Sequence, residues 1–338
     1  MALIRGDGTG PELVDAMLKV LEASRANIEL VTCDAGYEWW KEHGGDSYIP
    51  PETWEILRKS DACFKGPTTT VPIPGAPKSV AVSIRQAFEL YANIRPIKTL
   101  PNTKTRVDVD FICVREATEG LYSGFDFMIT EDTAISIRKI TRKGCERVAK
   151  YAFKLAREKG WKRLVAVNKA NILRNTDYLF LETVKKVGED YPEVEIEEYF
   201  IDNLAQQLVK NPERFNHSII LGTNLFMDII SEEAAGLIGS IGCVYSANIG
   251  DNYAMFEPAH GSSPKYKGLD KVNPTATILS GAWMLEYLGE KEASKAVFEA
   301  TMEVYREGRH LTYDVGGTAK TSEMAAAIAE KVAEKVKK

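Results

Sequence analysis

Phe111-Ile112-Cys113-Val114-Arg115-Glu116-Ala117-Thr118-Glu119-Gly120 passes from an unbroken apolar run into charge and then into glycine. The apolar run suits a buried strand of an α/β sheet. Arg115 then stands at the end of that strand with a glycine-bounded loop behind it, where α/β proteins carry their chemistry. A guanidinium in that position can fork onto a carboxylate, and Tyr122 offers a proton donor a few residues on. The stretch by itself fits a plain surface loop equally well.

Two more arginines, Arg85 and Arg95, precede it in Ser83-Ile84-Arg85-Gln86-Ala87-Phe88-Glu89-Leu90-Tyr91-Ala92-Asn93-Ile94-Arg95-Pro96. With Gly6-Asp7-Gly8-Thr9-Gly10-Pro11-Glu12 before them and His260-Gly261-Ser262 and Asn273-Pro274 after, the chain resembles the β-decarboxylating dehydrogenases. That family includes isocitrate, homoisocitrate, 3-isopropylmalate and tartrate dehydrogenases, and the likeness covers nearly the whole chain. It implies a two-lobed α/β fold with a cleft between the lobes, not a Rossmann fold. One lobe is expected from residues 1–95 plus 243–338, on the cofactor side. The other, 96–242, would carry the dimerisation surface, the catalytic lysine and the metal-binding acids.

A length of 338 residues suits two lobes, and 44% hydrophobic with 27% charged residues is the balance of an ordinary globular protein. The net charge of −5 gives no footprint for nucleic acid or an anionic membrane, so an anionic substrate needs a local cationic cluster. No stretch approaches a membrane span and no signal peptide is evident, so the expected compartment is the cytoplasm. The five cysteines are scattered through apolar runs and read as reduced core residues, not as a zinc or redox site. A metal here should be a hard cation held by oxygen.

Gly6-Asp7-Gly8-Thr9-Gly10 is not GxGxxG and reads as a structural turn opening a helix. Lys65-Gly66-Pro67 begins a loop running to Lys78, which should be mobile and shape the cleft. Residues 79–95 read as a helix followed by an extended exit at Pro96, the expected lobe boundary. Strands are expected near 109–115, 125–140, 163–167, 194–200 and 218–221. A helix should start at Thr141 and stop at Gly160, and a final helix should occupy 322–338. The strand at 163–167 would deliver Lys169 at its C-terminal end.

Arg85, Arg95 and Arg115 gathered in one cleft suit a substrate with two or three carboxylates; separately, each would read as a surface ion pair. Asp228 and Glu232 lie four residues apart, one face of a helix, and suit Mg²⁺ or Mn²⁺. The resemblance implies Asp202 as a further ligand and Lys169 as the base for the substrate hydroxyl, both supplied by the partner subunit. Neighbouring arginines and the cation would disfavour the charged lysine. Tyr122 would protonate the enolate left after carbon dioxide departs. The family carries Asp where Glu232 stands, so Glu232 is a departure. The working unit implied is a homodimer with shared sites, or a tetramer built from it.

The resemblance places the cofactor, NADP or NAD, along Thr70, Glu257, His260, Gly261, Ser262, Ser263, Lys265, Tyr266, Asn273, Tyr313 and Asp314. NAD-using members have Asp where Lys265 stands, and Lys265, Tyr266 and Tyr313 look like the NADP pattern. The NADP type also has Arg where Gly317 stands, so the expected phosphate clamp is incomplete. Isocitrate dehydrogenases resemble this chain in having serine where Ser79 stands, which implies a hydroxyl that can donate to a third carboxylate; isopropylmalate enzymes line the region with leucines. Those isocitrate enzymes have Asn where Ala81 stands, so the resemblance implies room here for a longer arm. Isocitrate and homoisocitrate are therefore the expected substrates, with 3-isopropylmalate as the alternative. A non-catalytic regulatory subunit is a further alternative, against which the full set of site residues argues.

Overall fold

In the computed structural model, which describes residues 1–337, the strands are β1 (Ala2–Ile4), β2 (Val31–Cys33), β3 (Cys63–Lys65), β4 (Ala92–Lys98), β5 (Asp110–Glu116), β6 (Asp126–Thr130), β7 (Thr133–Ser136), β8 (Arg163–Asn168), β9 (Glu195–Phe200), β10 (Ile219–Gly222), β11 (Tyr245–Ile249) and β12 (Ala254–Pro258). Ten of them form one sheet in the order β2-β1-β3-β12-β11-β4-β5-β10-β8-β9. Both flanks are parallel, and the centre, β12-β11-β4-β5, is antiparallel. The helices are α1 (Gly10–Ala23), α2 (Tyr37–His43), α3 (Pro51–Lys59), α4 (Val80–Ala87), α5 (Arg142–Lys159), α6 (Thr176–Gly188), α7 (Ile201–Lys210), α8 (Asn224–Leu237), α9 (Thr275–Tyr287), α10 (Lys291–Glu307) and α11 (Thr321–Val336).

The antiparallel centre explains why distant residues meet. Asn93 lies opposite Arg115 and Asn248 opposite Asn93, while Glu257 stands two residues beyond Met255, the partner of Asn248. Alternation with a period of two then sets Lys65, Glu257, Asn248, Asn93, Arg95 and Arg115 in a row across one sheet face. Parallel pairing of β10 with β5 brings Gly222 beside Arg115, so α8, which follows β10, starts next to that guanidinium.

Several expectations hold at their ends. Thr141 caps α5, accepting from the Gly144 N–H, and Gly160 closes it in the left-handed conformation at φ 67°. All five cysteines are buried and free. The glycine turn is structural: Gly6 has φ +79°, and a Cβ on it would lie 2.1 Å from the Pro67 carbonyl oxygen.

Others are corrected. The helix carrying Arg85 ends at Ala87, and Glu89 turns the chain at φ +50° into β4. The extended exit before Pro96 is present, but β4 continues through Pro96 to Lys98; Pro96 lies past Ile94, the last residue paired with β11, so its missing N–H breaks no ladder bond on that side. The single strand expected over 125–140 is a hairpin, β6 with β7, paired only with itself. Its strands expose Phe127, Met128 and Ile129 at 48%, 60% and 58%. The last helix starts at Thr321; of its expected range, residue 338 lies outside the described residues. Among the described residues, no helix is long and apolar enough to cross a membrane.

Candidate active site

Arg85, Arg95 and Arg115 converge on one open cleft of about 620 Å³, which Ser79, Thr70, Tyr122, Asp228, Glu257, His260 and Gly261 also line. Each guanidinium is buried and held by its Nε. Arg85 donates to Asn248 Oδ1 at 2.7 Å, Arg95 to Asn93 Oδ1 at 3.0 Å and Arg115 to Asn224 Oδ1 at 2.9 Å. Neutral amides orient the forks without cancelling their charge. The three asparagines are not singled out by the sequence: Asn248 and Asn224 reach their arginines only through the fold, from β11 and from the start of α8. Alternation of Asn93 with Arg95 along one strand is the one local signal.

The outer nitrogens are taken by acids. Arg95 reaches Ser231 Oγ at 2.8 Å and Glu232 at 3.1 Å, and the Arg115 fork contacts Asp228. The Tyr122 hydroxyl donates to the other Asp228 oxygen at 2.5 Å, and the Arg115 guanidinium lies 4.9 Å from the centre of the Tyr122 ring. Burial pushes the Asp228 carboxyl up, but Arg115 and then Arg95 outweigh it and hold it below the usual carboxylate range. For Glu232, burial wins over Arg95 and its carboxyl rises. Burial also raises the Tyr122 phenol, leaving it a protonated donor.

Behind Arg85, Glu257 is clamped by Lys65 at 2.9 Å and by Arg85 at 2.8 Å, with Asn248 donating to it at 2.8 Å. Burial opposes ionisation of Glu257, but Lys65 and Arg85 together drive its carboxyl far below the normal range. Glu257 is thus the counter-ion that fixes Arg85, and Lys65 is a fourth cation of the cleft that sequence reasoning missed. Ser79 caps α4: its Oγ accepts from the Val82 N–H at 3.2 Å, leaving its hydrogen free to donate into the cleft.

An adjoining pocket of about 450 Å³ gathers His260, Ser263, Tyr266, Asn273, Tyr313 and Asp314. His260 borders both hollows; its Nδ1 meets the Gly261 carbonyl oxygen, and its buried Nε2 has no partner among the described residues. Burial lowers its pKa and keeps the ring neutral. Asp314 is turned inward, accepting from Ser240, Thr312 and Asn273. Ser262 is buried between loops, its carbonyl accepting from the Thr9 N–H and its hydroxyl meeting Thr69 at 2.5 Å. Lys265 stands over the Tyr266 ring at 4.9 Å.

Lys169 and Asp202 are brought to each other, not to the arginines. Their ion pair spans 2.6 Å, and neither lines the cleft of their own chain. The arginine neighbours expected around Lys169 are therefore not supplied by its own chain. The Lys169 backbone is pinned by Asp177, a fully buried carboxylate that accepts its N–H at 2.6 Å and takes Arg138 at 2.5 Å. No group of three potential metal ligands forms among the described residues, because Asp202 stands apart from Asp228 and Glu232. Asp228 and Glu232 do offer hard oxygen donors one helical turn apart, which suits Mg²⁺ or Mn²⁺ with ligands completed from outside the chain.

The family pattern described as isocitrate/isopropylmalate dehydrogenase matches residues 1–328. The chain is 41% identical to an NADP isocitrate dehydrogenase of Thermus thermophilus, over 97% of this chain and 66% of that one. It is 41% identical to a 3-isopropylmalate/3-methylmalate dehydrogenase of Methanocaldococcus jannaschii, over 99% of each. An isocitrate/homoisocitrate dehydrogenase of Thermus thermophilus is 42% identical over 98% of this chain and 97% of its own. The chain thus spans just under two thirds of the first of these and nearly all of the other two. The crystal structure of isocitrate dehydrogenase from Methylococcus capsulatus superposes with a TM-score of 0.93 at 42% identity, covering 98% of both chains.

Proposed function

The chain belongs to the isocitrate/isopropylmalate dehydrogenase family, and on that premise we propose that it oxidises and decarboxylates a 3-substituted malate with NAD(P), preferring isocitrate and homoisocitrate and yielding 2-oxoglutarate and 2-oxoadipate. The observation that carries this reading is the convergence of three buried, amide-oriented guanidiniums on one cleft whose rim holds Ser79. Two forks match the carboxylates of the malate moiety, and the third, with the free Ser79 hydrogen, suits the carboxylate of the side arm.

Substrate binding is an exchange of partners. Asp228 and Glu232 neutralise Arg95 and Arg115 in the free chain, so the entering carboxylates displace them and turn two ionised oxygen donors outward. Asp228, Glu232 and the Asp202 of a second copy would hold a divalent cation, which would supply electron withdrawal at the substrate C2 oxygen, and the hydride lost from C2 would pass to the nicotinamide. Lys169 of the second copy, once it has given up its own proton to solvent and left Asp202 to the cation, accepts the hydroxyl proton as a neutral amine. Tyr122 gives its proton to the enolate carbon once carbon dioxide has left.

A shared site needs a homodimer, and the surface around Lys169 suits one. Ile172, Val209 and Ile229 lie exposed at 68%, 72% and 57% near Lys169, Asp202 and Asp228 in the sequence, and the apolar β6–β7 hairpin is bare in the single chain. The division into lobes 1–95 plus 243–338 and 96–242 remains our reading of how the cleft closes. NADP is favoured, from Lys265, Tyr266 and Tyr313, with NAD usable because Gly317 leaves the phosphate clamp incomplete.

The second reading, 3-isopropylmalate, is favoured by Ala81 and Val82, which give the cleft an apolar wall beside Ser79. The test is stoichiometry. With isocitrate or homoisocitrate and Mg²⁺, one carbon dioxide should appear per reduced nicotinamide, and chelation should stop both. Reduction without carbon dioxide, or no turnover of either acid, would reject the proposal.

A further inference from the structure

We infer that Lys271 is the second cation of a 2′-phosphate clamp, taking with Lys265 the place of the arginine that cannot stand at Gly317. This rests on the NADP preference proposed above and goes beyond it by assigning a residue the sequence reading left out. Gly317 is closed to any side chain: a Cβ there would lie 1.9 Å from the Leu311 carbonyl oxygen. The same turn is locked by the Gly317 N–H donating to Thr312 and the Ala319 N–H to Leu311. A second charge for the phosphate has to come from elsewhere.

Lys271 is placed to supply it. Its Nζ lies 4.6 Å from the Tyr313 ring centre and 5.7 Å from that of Tyr266, while Lys265 Nζ lies 4.9 Å from Tyr266. The two rings are 6.3 Å apart and line the adjoining pocket, so two ammonium groups stand against one pair of phenols there. Neither lysine has an acidic partner among the described residues, although the intervening Lys267 pairs with Glu38 at 2.7 Å. The one acid lining the pocket, Asp314, is held by Ser240, Asn273 and Thr312 and pairs with neither lysine.

The segment is also held in shape before any ligand arrives. Glu12 accepts from the Gly268 and Asp270 N–H groups, and Asp270 in turn accepts from Ser322 N at 2.8 Å and Ser322 Oγ at 2.6 Å. Thr321 Oγ1 donates to the Val272 carbonyl at 2.6 Å. Two unpaired cations on a braced loop, each against a phenol ring, suit a dianionic phosphate on a ribose and lower the ordering cost of holding it.

The test is calorimetric titration of 2′,5′-ADP and of ADP into the full-length protein, with no turnover required. Wild type should bind 2′,5′-ADP more tightly than ADP. Lys271→Met should weaken 2′,5′-ADP by at least about tenfold, the worth of one charge-assisted hydrogen bond, and flatten its salt dependence. ADP affinity of the same variant should stay within about twofold, the scatter that distant changes produce, and Lys271→Arg should restore the difference. If Lys271→Met keeps the wild-type preference, or weakens both ligands alike, the assignment is overturned while the NADP reading stands. If wild type binds both ligands equally, the NADP reading itself has failed.

Discussion

Replacing Glu257 by Gln removes one charge from a site that has two buried cations and nowhere to send them. Lys65 and Arg85 are 4% and 6% exposed at their side chains, and each touches a different oxygen of Glu257, at 2.9 and 2.8 Å. Breaking a buried pair from one side costs about 3–5 kcal/mol, because the partner is left uncompensated. Glutamine keeps one acceptor oxygen, so the lower end, about 3 kcal/mol, is the expected loss at neutral pH, roughly a hundredfold in the folding constant. Urea unfolding at fixed protein concentration reads this as a lower midpoint with an unchanged slope. The pH dependence has a fixed sign. Because folding depresses the Glu257 carboxyl, its stabilisation is complete above the unfolded value of roughly 4.3 and is lost as pH falls toward the folded one. The gap between wild type and Glu257→Gln should therefore narrow on acidification below about pH 4. A loss under about 1 kcal/mol, the size of a surface pair, or a gap that widens with acid would refute the reasoning.

Lys169→Met should abolish oxidation, yet mixed dimers of Lys169→Met with Arg115→Ala chains should regain part of the activity, measured after verified subunit exchange; no recovery would count against a shared site. Tyr122→Phe should slow oxidation less than it slows protonation of the product carbon, seen as enol release or loss of stereospecific deuterium uptake at C3. Ser79→Leu should move preference toward isopropylmalate by on the order of tenfold or more, the worth of one polar group left unpaired. It should also cost about 1 kcal/mol of stability, because the Val82 N–H loses its cap, so Ser79→Ala serves as the matched control.

What was legible in the sequence was mostly what a short window encodes. Thr141 and Gly160 mark α5 because capping is local, and the apolar run 111–114 marks β5 because burial on both faces leaves no polar positions. The cleft residues Arg85, Arg95, Arg115, Tyr122 and Asp228 were reachable through the order of motifs along the chain, and the structure does gather them. Lys65, Asn248 and Asn93 were not, since their meeting depends on register between strands far apart in sequence. The hairpin at 126–136 read as one strand because its apolar residues, which look like core, are in fact exposed in the single chain. Lys271 and Lys267 look alike on the page; only the position of Glu38 separates the paired one from the free one.

The central claim is that the cleft is built for a tricarboxylate. Steady-state kcat/KM for isocitrate, homoisocitrate and 3-isopropylmalate, measured side by side with NADP and Mg²⁺, tests it most directly. Both tricarboxylates should be used within about two hundredfold of each other, the most that one methylene of discrimination allows, with isopropylmalate slower than either. Isopropylmalate turned over far faster than both would contradict the account and leave the Ser79 hydroxyl without the carboxylate assigned to it.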